Sequence, residues 1–142
     1  MILNLSLLFL LVSATVNARP SYVKLLPNGA NVPNPCLSNS IYNAIGHLDP
    51  TGSGGDAALN RFGHGFKANS RTWNMVLCQL DSDGDGFTNG EELGDPNCLW
   101  TEGQPDPTGV NISHPGICTP IDSAPCKARN PCQVASLPCQ TH

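Results

Sequence analysis

The sequence has 142 residues, with 14 glycines, 13 prolines and 7 cysteines, and its formal net charge is −4. With only 6% aromatic residues, it predicts one domain with a thin core that needs cross-links, followed by a tail. Six of the eleven acidic residues lie between Asp81 and Asp95, and no basic cluster is present, which argues against nucleic-acid or anionic-membrane partners.

The first eighteen residues are predicted to be a signal peptide. Ile2 to Val12 form an apolar run interrupted only by Asn4 and Ser6, and Val16-Asn17-Ala18 is typical of a small-x-small cleavage site. The run is too short to span a membrane, and no similar run follows it. We therefore expect a secreted, extracellular protein without a membrane span, whose mature chain begins near Arg19.

All seven cysteines follow the predicted cleavage site, and in an oxidising compartment they indicate a disulfide framework. We predict a disulfide-stapled domain over residues 19–118 and a cysteine-rich tail over residues 119–142. The tail has no periodic apolar pattern, so we expect little regular structure in it. The pairing of Cys126, Cys132 and Cys139 stays open, and the odd total leaves one cysteine free or linked to a second chain.

The fold class predicted is a small irregular α+β domain with little strand. Tyr22 to Leu26 alternate as in a short strand, and Pro27-Asn28-Gly29 indicates a turn. Ala57 to Asn69 are predicted to form a helix with Asp56 as its N-cap. The aromatic residues expected in the core are Phe62, Phe66 and Trp73.

A second helix is predicted from Arg71 to Leu80, capped by Ser70. Its apolar residues lie at i, i+3, i+4 and i+7 and form one stripe. They are Trp73, Val76, Leu77 and Leu80. A short third helix is predicted from Asn89 to Leu93 and ends before Gly94-Asp95-Pro96, because proline cannot continue a helix.

The residues between the second and third helices match the calcium-binding loop of an EF-hand. Calcium prefers six to eight oxygen ligands, and the segment from Asp81 to Glu92 places oxygen-bearing groups at positions one, three, five, seven, nine and twelve. Gly86 lies at position six, where the chain must turn sharply. The predicted calcium ligands are Asp81, Asp83, Asp85, the backbone carbonyl of Phe87, Asn89 and Glu92.

The alternative interpretation of this segment is a solvated acidic turn. Alternating carboxylates repel one another without a counter-ion, which favours the calcium loop. Position eight is Thr88, where paired EF-hands usually carry an aliphatic residue, and no second loop is present in the sequence. We therefore expect a fixed brace and not a calcium switch.

Cys78 and Cys98 flank the loop, and a bond between them would clamp its two ends and stabilise the protein by roughly 3 kcal/mol. Spacing alone does not prove that pairing. Asn111-Ile112-Ser113 is an N-glycosylation acceptor in a stretch rich in proline and glycine, so Asn111 is expected at the surface.

Several segments in this order and spacing resemble the temptin family, the water-borne pheromone proteins of marine molluscs. The resemblance covers about Tyr22 to Cys118, and only the combination is specific, because calcium loops recur widely in secreted proteins. The segments are Leu26–Pro33, Gly46–Pro50, Leu59–Gly63, Trp73, Leu77–Gly86, Thr88–Pro96, Trp100-Thr101 and His114–Gly116.

The resemblance implies two disulfides inside the domain, Cys78–Cys98 and Cys36–Cys118, the second tying the N-terminal arm to the end of the domain. It also implies an attractant that is released into water and acts with other secreted proteins and a receptor. Residues after Cys118 lie outside the resemblance.

The sequence therefore favours a secreted, non-enzymatic, calcium-stabilised signalling protein of temptin type. One alternative is an extracellular matrix or biomineral protein, which would bind several calcium ions weakly. Another is a secreted copper or zinc enzyme using His47, His64 or His114. The same histidines are typical of polar turn residues bonded to the backbone, and the sequence contains no motif for a reaction.

Overall fold

The computed structural model describes residues 22–52 and 55–129. The predicted signal peptide, Cys132 and Cys139 lie outside the described residues. Within the described ranges, no helix is both long enough and apolar enough to cross a membrane.

Short helices joined by turns make up the described part of the chain. In chain order they are a 3₁₀ helix at Tyr22–Leu25, a second at Gly55–Ala58, α1 at Arg61–Ala68, α2 at Met75–Gln79, α3 at Asn89–Glu92 and α4 at Ala124–Lys127. The β-structure in the described ranges consists of isolated antiparallel bridges, one from Pro33 to Ile41 and one from His47 to Leu59. The domain is small, with a few short helices, little strand, and turns or irregular segments over most of its described length.

The strand predicted at Tyr22 to Leu26 is wrong, because these residues form a 3₁₀ turn that leads into a buried Leu26. Tyr22 and Leu26 are four residues apart, a spacing that also puts two side chains on one face of a helical turn. The Tyr22 ring packs edge-on against Phe66, with 6.0 Å between ring centroids. The apolar residues thus reach the core without a sheet.

Helix α1 begins four residues later than predicted, since its N-cap is Asn60 and not Asp56. The Asn60 amide donates to the carbonyls of Ile45 (2.8 Å) and His47 (2.9 Å). This leaves its oxygen to accept from the N–H of Gly63 at 2.9 Å. One buried side chain therefore starts the helix and fixes it against the preceding loop.

Helix α2 is half as long as predicted. Ser70 and Arg71 have left-handed φ angles of 58° and 56°, which a continuous helix does not allow. The helix starts only after Asn74, whose side chain accepts from the N–H of Leu77 at 2.9 Å. The predicted stripe is divided accordingly: Leu77 is buried, whereas Val76 is 62% exposed.

The core lies between α1, α2 and α3 and includes the three predicted aromatic residues. Phe62 and Phe66 stack nearly parallel, with 6.3 Å between their ring centroids. The core residues are Leu26, Val32, Tyr42, Ile45, Phe62, Phe66, Trp73, Leu77, Cys78, Leu93, Trp100 and Ile117. Leu77 and Cys78 of α2 and Leu93, directly after α3, belong to the core. The core therefore anchors both ends of the acidic loop, which begins at Asp81 and lies between these two helices.

One of the two predicted disulfides is present and the other is wrong. Cys78 is bonded to Cys98, with 5.8 Å between their Cα atoms. Cys118 is bonded to Cys126 and not to Cys36. The chain reverses direction in the turn before α4, which brings the Cα atom of Cys126 to 5.2 Å from that of Cys118. Cys36 is disulfide-bonded to a residue other than Cys118.

Candidate metal centre

The acidic loop lies between α2 and α3, and its ends are joined by backbone as well as by the Cys78–Cys98 bond. The N–H of Asn89 donates to the carbonyl of Leu80 at 2.7 Å. Thr88 is the N-cap of α3 and forms a capping box with Glu91. The polar residue at position eight therefore starts the exit helix, a role that an aliphatic residue could not fill.

Three of the predicted ligands come together in the loop. Asp81, Asp83 and Asp85 each offer a carboxylate oxygen within 4.8 Å of the others. The backbone holds them in place: the two oxygens of Asp81 accept from the N–H groups of Gly84 (2.7 Å) and Gly86 (3.0 Å). Gly86 has a φ of 101°, which favours glycine at the sharp turn.

Three oxygen atoms in the site are buried and have no hydrogen-bond donor among the residues that the structure describes. They are Oδ2 of Asp83, Oδ1 of Asn89 and Oε2 of Glu92. Their residues are 4%, 0% and 2% exposed, respectively. A buried acceptor without a partner costs the folded protein about 1–3 kcal/mol, so three in one site favour a shared partner. They belong to loop positions three, nine and twelve, which fits a cation that takes oxygen ligands.

The orientation of Asn89 supports the same conclusion. Its side-chain amide donates to the carbonyl of Leu77 at 2.7 Å, which directs the nitrogen to α2 and leaves the oxygen without a donor. Phe87 would use only its backbone carbonyl, and its side chain is exposed. Glu92 lies outside the 4.8 Å group that the three aspartates form.

The electrostatics of the site also favour a bound cation. Burial, together with the charge of Asp83, raises the pKa of Glu92 to about 9. Burial and the charge of Asp85 raise the pKa of Asp83 to about 7. Within the described ranges, the ion pair present joins Lys67 to Asp56, and no lysine, arginine or histidine forms an ion pair with a loop carboxylate. Arg129 contacts the loop through the backbone carbonyl of Gly84. A divalent cation would relieve this repulsion.

Comparison with known proteins identifies the family of the chain. The chain matches the family model Temptin C-terminal over residues 16–117. It is 46% identical over 107 residues to Temptin of Aplysia californica, a match covering 75% of this chain and 83% of the relative. The chain belongs to the temptin family. The resemblance predicted from its motifs is confirmed, and no solved structure matches the chain.

Two hydroxyl groups that sequence reasoning missed contact residues predicted as calcium ligands in this temptin-family chain. The Ser113 hydroxyl donates to Oε1 of Glu92 at 2.8 Å. The Thr119 hydroxyl and N–H each donate to Oδ2 of Asp85 at 3.2 Å. They lie 21 and 34 residues after their partners, and no local pattern in the sequence predicts such contacts. Thr119 also lies beyond the temptin family match.

Asp95 is a further buried acid that sequence reasoning missed, and it has a structural role. Its carboxylate accepts from the indole N–H of Trp73 (2.9 Å) and the backbone N–H groups of Leu99 (2.8 Å) and Trp100 (3.1 Å). These donors satisfy the charge, so Asp95 needs no metal. It fixes the segment after α3 against the entry to α2.

The histidines do not form a metal site in the described ranges. His64 is exposed on α1, and His47 is half-buried before it. His114 is buried against the Tyr42 ring, 4.4 Å between centroids, and its Nδ1 accepts from the N–H of Gly116 at 3.0 Å. Burial lowers the pKa of His114 to about 3, so the ring is neutral. The metal-type cluster that the described residues form consists of the three loop aspartates.

Proposed function

We propose that this temptin-family protein is a secreted, non-enzymatic signalling protein that is released into water as an attractant. One calcium ion, bound by the loop from Asp81 to Glu92, stabilises its fold. The observation that carries the calcium proposal is the set of three buried oxygens without donors, all at predicted ligand positions. The resemblance to water-borne pheromone proteins carries the signalling proposal.

The proposed ligands are the carboxylates of Asp81, Asp83, Asp85 and Glu92, the side-chain oxygen of Asn89 and the backbone carbonyl of Phe87. All are oxygens, which suits a hard cation and disfavours copper or zinc. Bound calcium would supply the positive charge that neutralises the buried carboxylates. The chain itself holds Asp81 and Asn89 in position through the backbone bonds described above.

Calcium and disulfides together suit a protein that acts far from the cell that made it. Dilution in water requires a messenger that survives proteolysis, and proteolysis depends on opening of the fold. A ligand that binds only the folded state lowers the population of open forms. We infer that other secreted proteins and a receptor meet the loop side of the domain, where the side chains of Phe87 and Leu99 are exposed.

Isothermal titration of the purified, disulfide-bonded protein tests the calcium proposal. We expect one calcium ion per chain for the wild type and a loss of most of the binding for Asp81→Ala. A stoichiometry well above one would favour a matrix or biomineral protein. Absence of binding would refute the proposal.

An attraction assay in water tests the signalling proposal. Animals of the species that makes the protein would be offered the purified chain, alone and together with other proteins secreted with it. We expect attraction that is lost when the chain is heat-unfolded with its disulfides reduced. Equal attraction to water that contains the unfolded chain would argue against signalling by the folded protein.

A further inference from the structure

The structure points to Ser113 and Thr119 as positioning residues for the calcium ligands. We propose that the segment between them replaces the second calcium loop that braces each loop in paired EF-hands. This inference rests on the proposed calcium site. It concerns residues outside the twelve-residue loop and explains how a lone loop is held in shape.

Ser113 fixes the ligand at position twelve. Its hydroxyl donates to Oε1 of Glu92 at 2.8 Å, and its N–H donates to the backbone carbonyl of Glu92 at 2.9 Å. The second carboxylate oxygen, Oε2, is left without a donor. Both the backbone and the side chain of Glu92 are therefore held in the position from which the carboxylate would close the site.

Thr119 fixes the ligand at position five from the other end of the same segment. Oδ2 of Asp85 accepts from the N–H and the hydroxyl of Thr119, and Oδ1 accepts from the N–H of Phe87 at 3.0 Å. Arg129, farther along the chain, donates to the carbonyl of Gly84 in the loop. Thr119 and Arg129, both later in the chain, therefore donate hydrogen bonds to the loop.

The segment that joins these two residues is rigid. Residues 114–118 are all buried. Within them, the N–H of Ile117 donates to the carbonyl of His114 at 3.2 Å, and Cys118 is bonded to Cys126. A Cβ atom at Gly116 would lie 2.6–2.7 Å from the side chain of Asn60, so this segment fits tightly against the start of α1. Ser113 and Thr119 therefore move only if the core moves.

Holding the ligands before the ion arrives reduces the ordering cost of binding. Residues that orient metal ligands in other proteins typically change metal affinity by about 10- to 100-fold when they are replaced. We expect effects of that size from Ser113→Ala and Thr119→Val, which remove the hydroxyls and leave the backbone bonds. Ser113→Thr and Thr119→Ser keep a hydroxyl and should restore affinity to within about threefold of the wild type.

Calcium affinity of the full, disulfide-bonded chain, measured by competition with a fluorescent chelator, tests the inference. Because Ser113 belongs to the glycosylation sequon, Asn111→Gln serves as the matched control that removes any glycan and keeps the hydroxyl. Circular dichroism in EDTA checks that each variant is folded, and Thr119→Val decides the question if Ser113→Ala does not fold.

The outcomes separate this inference from the proposed function. Weaker binding by both hydroxyl-deleted variants, with near-normal binding by the conservative variants and by Asn111→Gln, supports it. Wild-type affinity in both Ser113→Ala and Thr119→Val overturns it while leaving the calcium site intact. A wild-type chain that binds no calcium overturns both the site and its positioning residues.

Discussion

Replacing Glu92 by glutamine should stabilise the calcium-free protein and remove most of its response to calcium. Burial and the charge of Asp83 raise the pKa of the Glu92 carboxyl from 4.5 to about 9. A carboxyl with a raised pKa destabilises the folded state once the pH exceeds its unfolded pKa, and the loss grows until the pH reaches the folded pKa. The free energy of unfolding falls by about 1.4 kcal/mol for each pH unit above the unfolded-state pKa, so at pH 7 the loss is about 3 kcal/mol.

Glutamine has nearly the same shape, carries no charge and keeps an oxygen that can accept from the Ser113 hydroxyl. In EDTA we therefore expect Glu92→Gln to be about 3 kcal/mol more stable than the wild type, with a melting temperature higher by roughly 10 °C or more. With calcium at 1,000 times its Kd, the wild type gains about 4 kcal/mol by mass action. The Glu92→Gln variant gains little from calcium. The wild type is therefore the more stable protein in calcium, whereas the variant is the more stable one in EDTA.

Urea denaturation followed by tryptophan fluorescence, at pH 7 in EDTA and in calcium, measures the four free energies of unfolding. Glu91→Gln is the matched control, because Glu91 is exposed and contacts the N-cap Thr88. The free energy of unfolding of Glu91→Gln should be lower than that of the wild type by the same small amount in EDTA and in calcium. A Glu92→Gln variant that is less stable than the wild type in EDTA would contradict the raised pKa of Glu92. Equal stabilisation of both proteins by calcium would contradict its role as a ligand.

Two further predictions concern the core. A Cβ atom at Gly63 would overlap the carbonyl of Gly46, so Gly63→Ala should destabilise the fold by about 1–3 kcal/mol or more in urea denaturation. Gly65→Ala should cost less, since its nearest neighbour is a Leu77 methyl at 3.3 Å, and equal losses would contradict the close packing of α1. Burial lowers the pKa of His114 to about 3. The stability that the neutral ring contributes is therefore present above pH 6.5 and is lost as the pH falls towards 3. Relative to His114→Asn, the wild type should lose about 2 kcal/mol between pH 6.5 and pH 5, and parallel pH profiles would contradict a neutral buried ring.

The path of the acidic loop could be predicted from local spacing, whereas the Cys78–Cys98 bond was implied by the resemblance to the temptin family. The positions of the carboxylates, of Gly86 and of Glu92 follow from a fixed backbone path over twelve residues. Cys78 and Cys98 flank that path, but their spacing alone left the pairing open until the bond was seen in the structure. The exit helix was also predicted closely, since Thr88 and Glu91 supply its start within four residues.

The features that were missed depend on contacts between distant parts of the chain. Asn60 caps α1 because two carbonyls in the preceding loop hold its amide, and periodicity cannot reveal that. Arg71, the first residue of the second predicted helix, has a left-handed backbone, and its N–H donates to the carbonyl of Phe66 in α1 at 2.8 Å. The Cys118–Cys126 bond and the bracing by Ser113 and Thr119 likewise follow from the folded path and from no local pattern.

The most direct test of the account is the melting temperature of the purified wild-type protein, measured in calcium and again after exhaustive treatment with EDTA. We expect the melting temperature to fall by roughly 10 °C or more on removal of the ion, because the buried carboxylates then lack a counter-charge, and to recover fully when calcium is restored. An unchanged melting temperature in the two solutions would contradict the claim that calcium stabilises this fold.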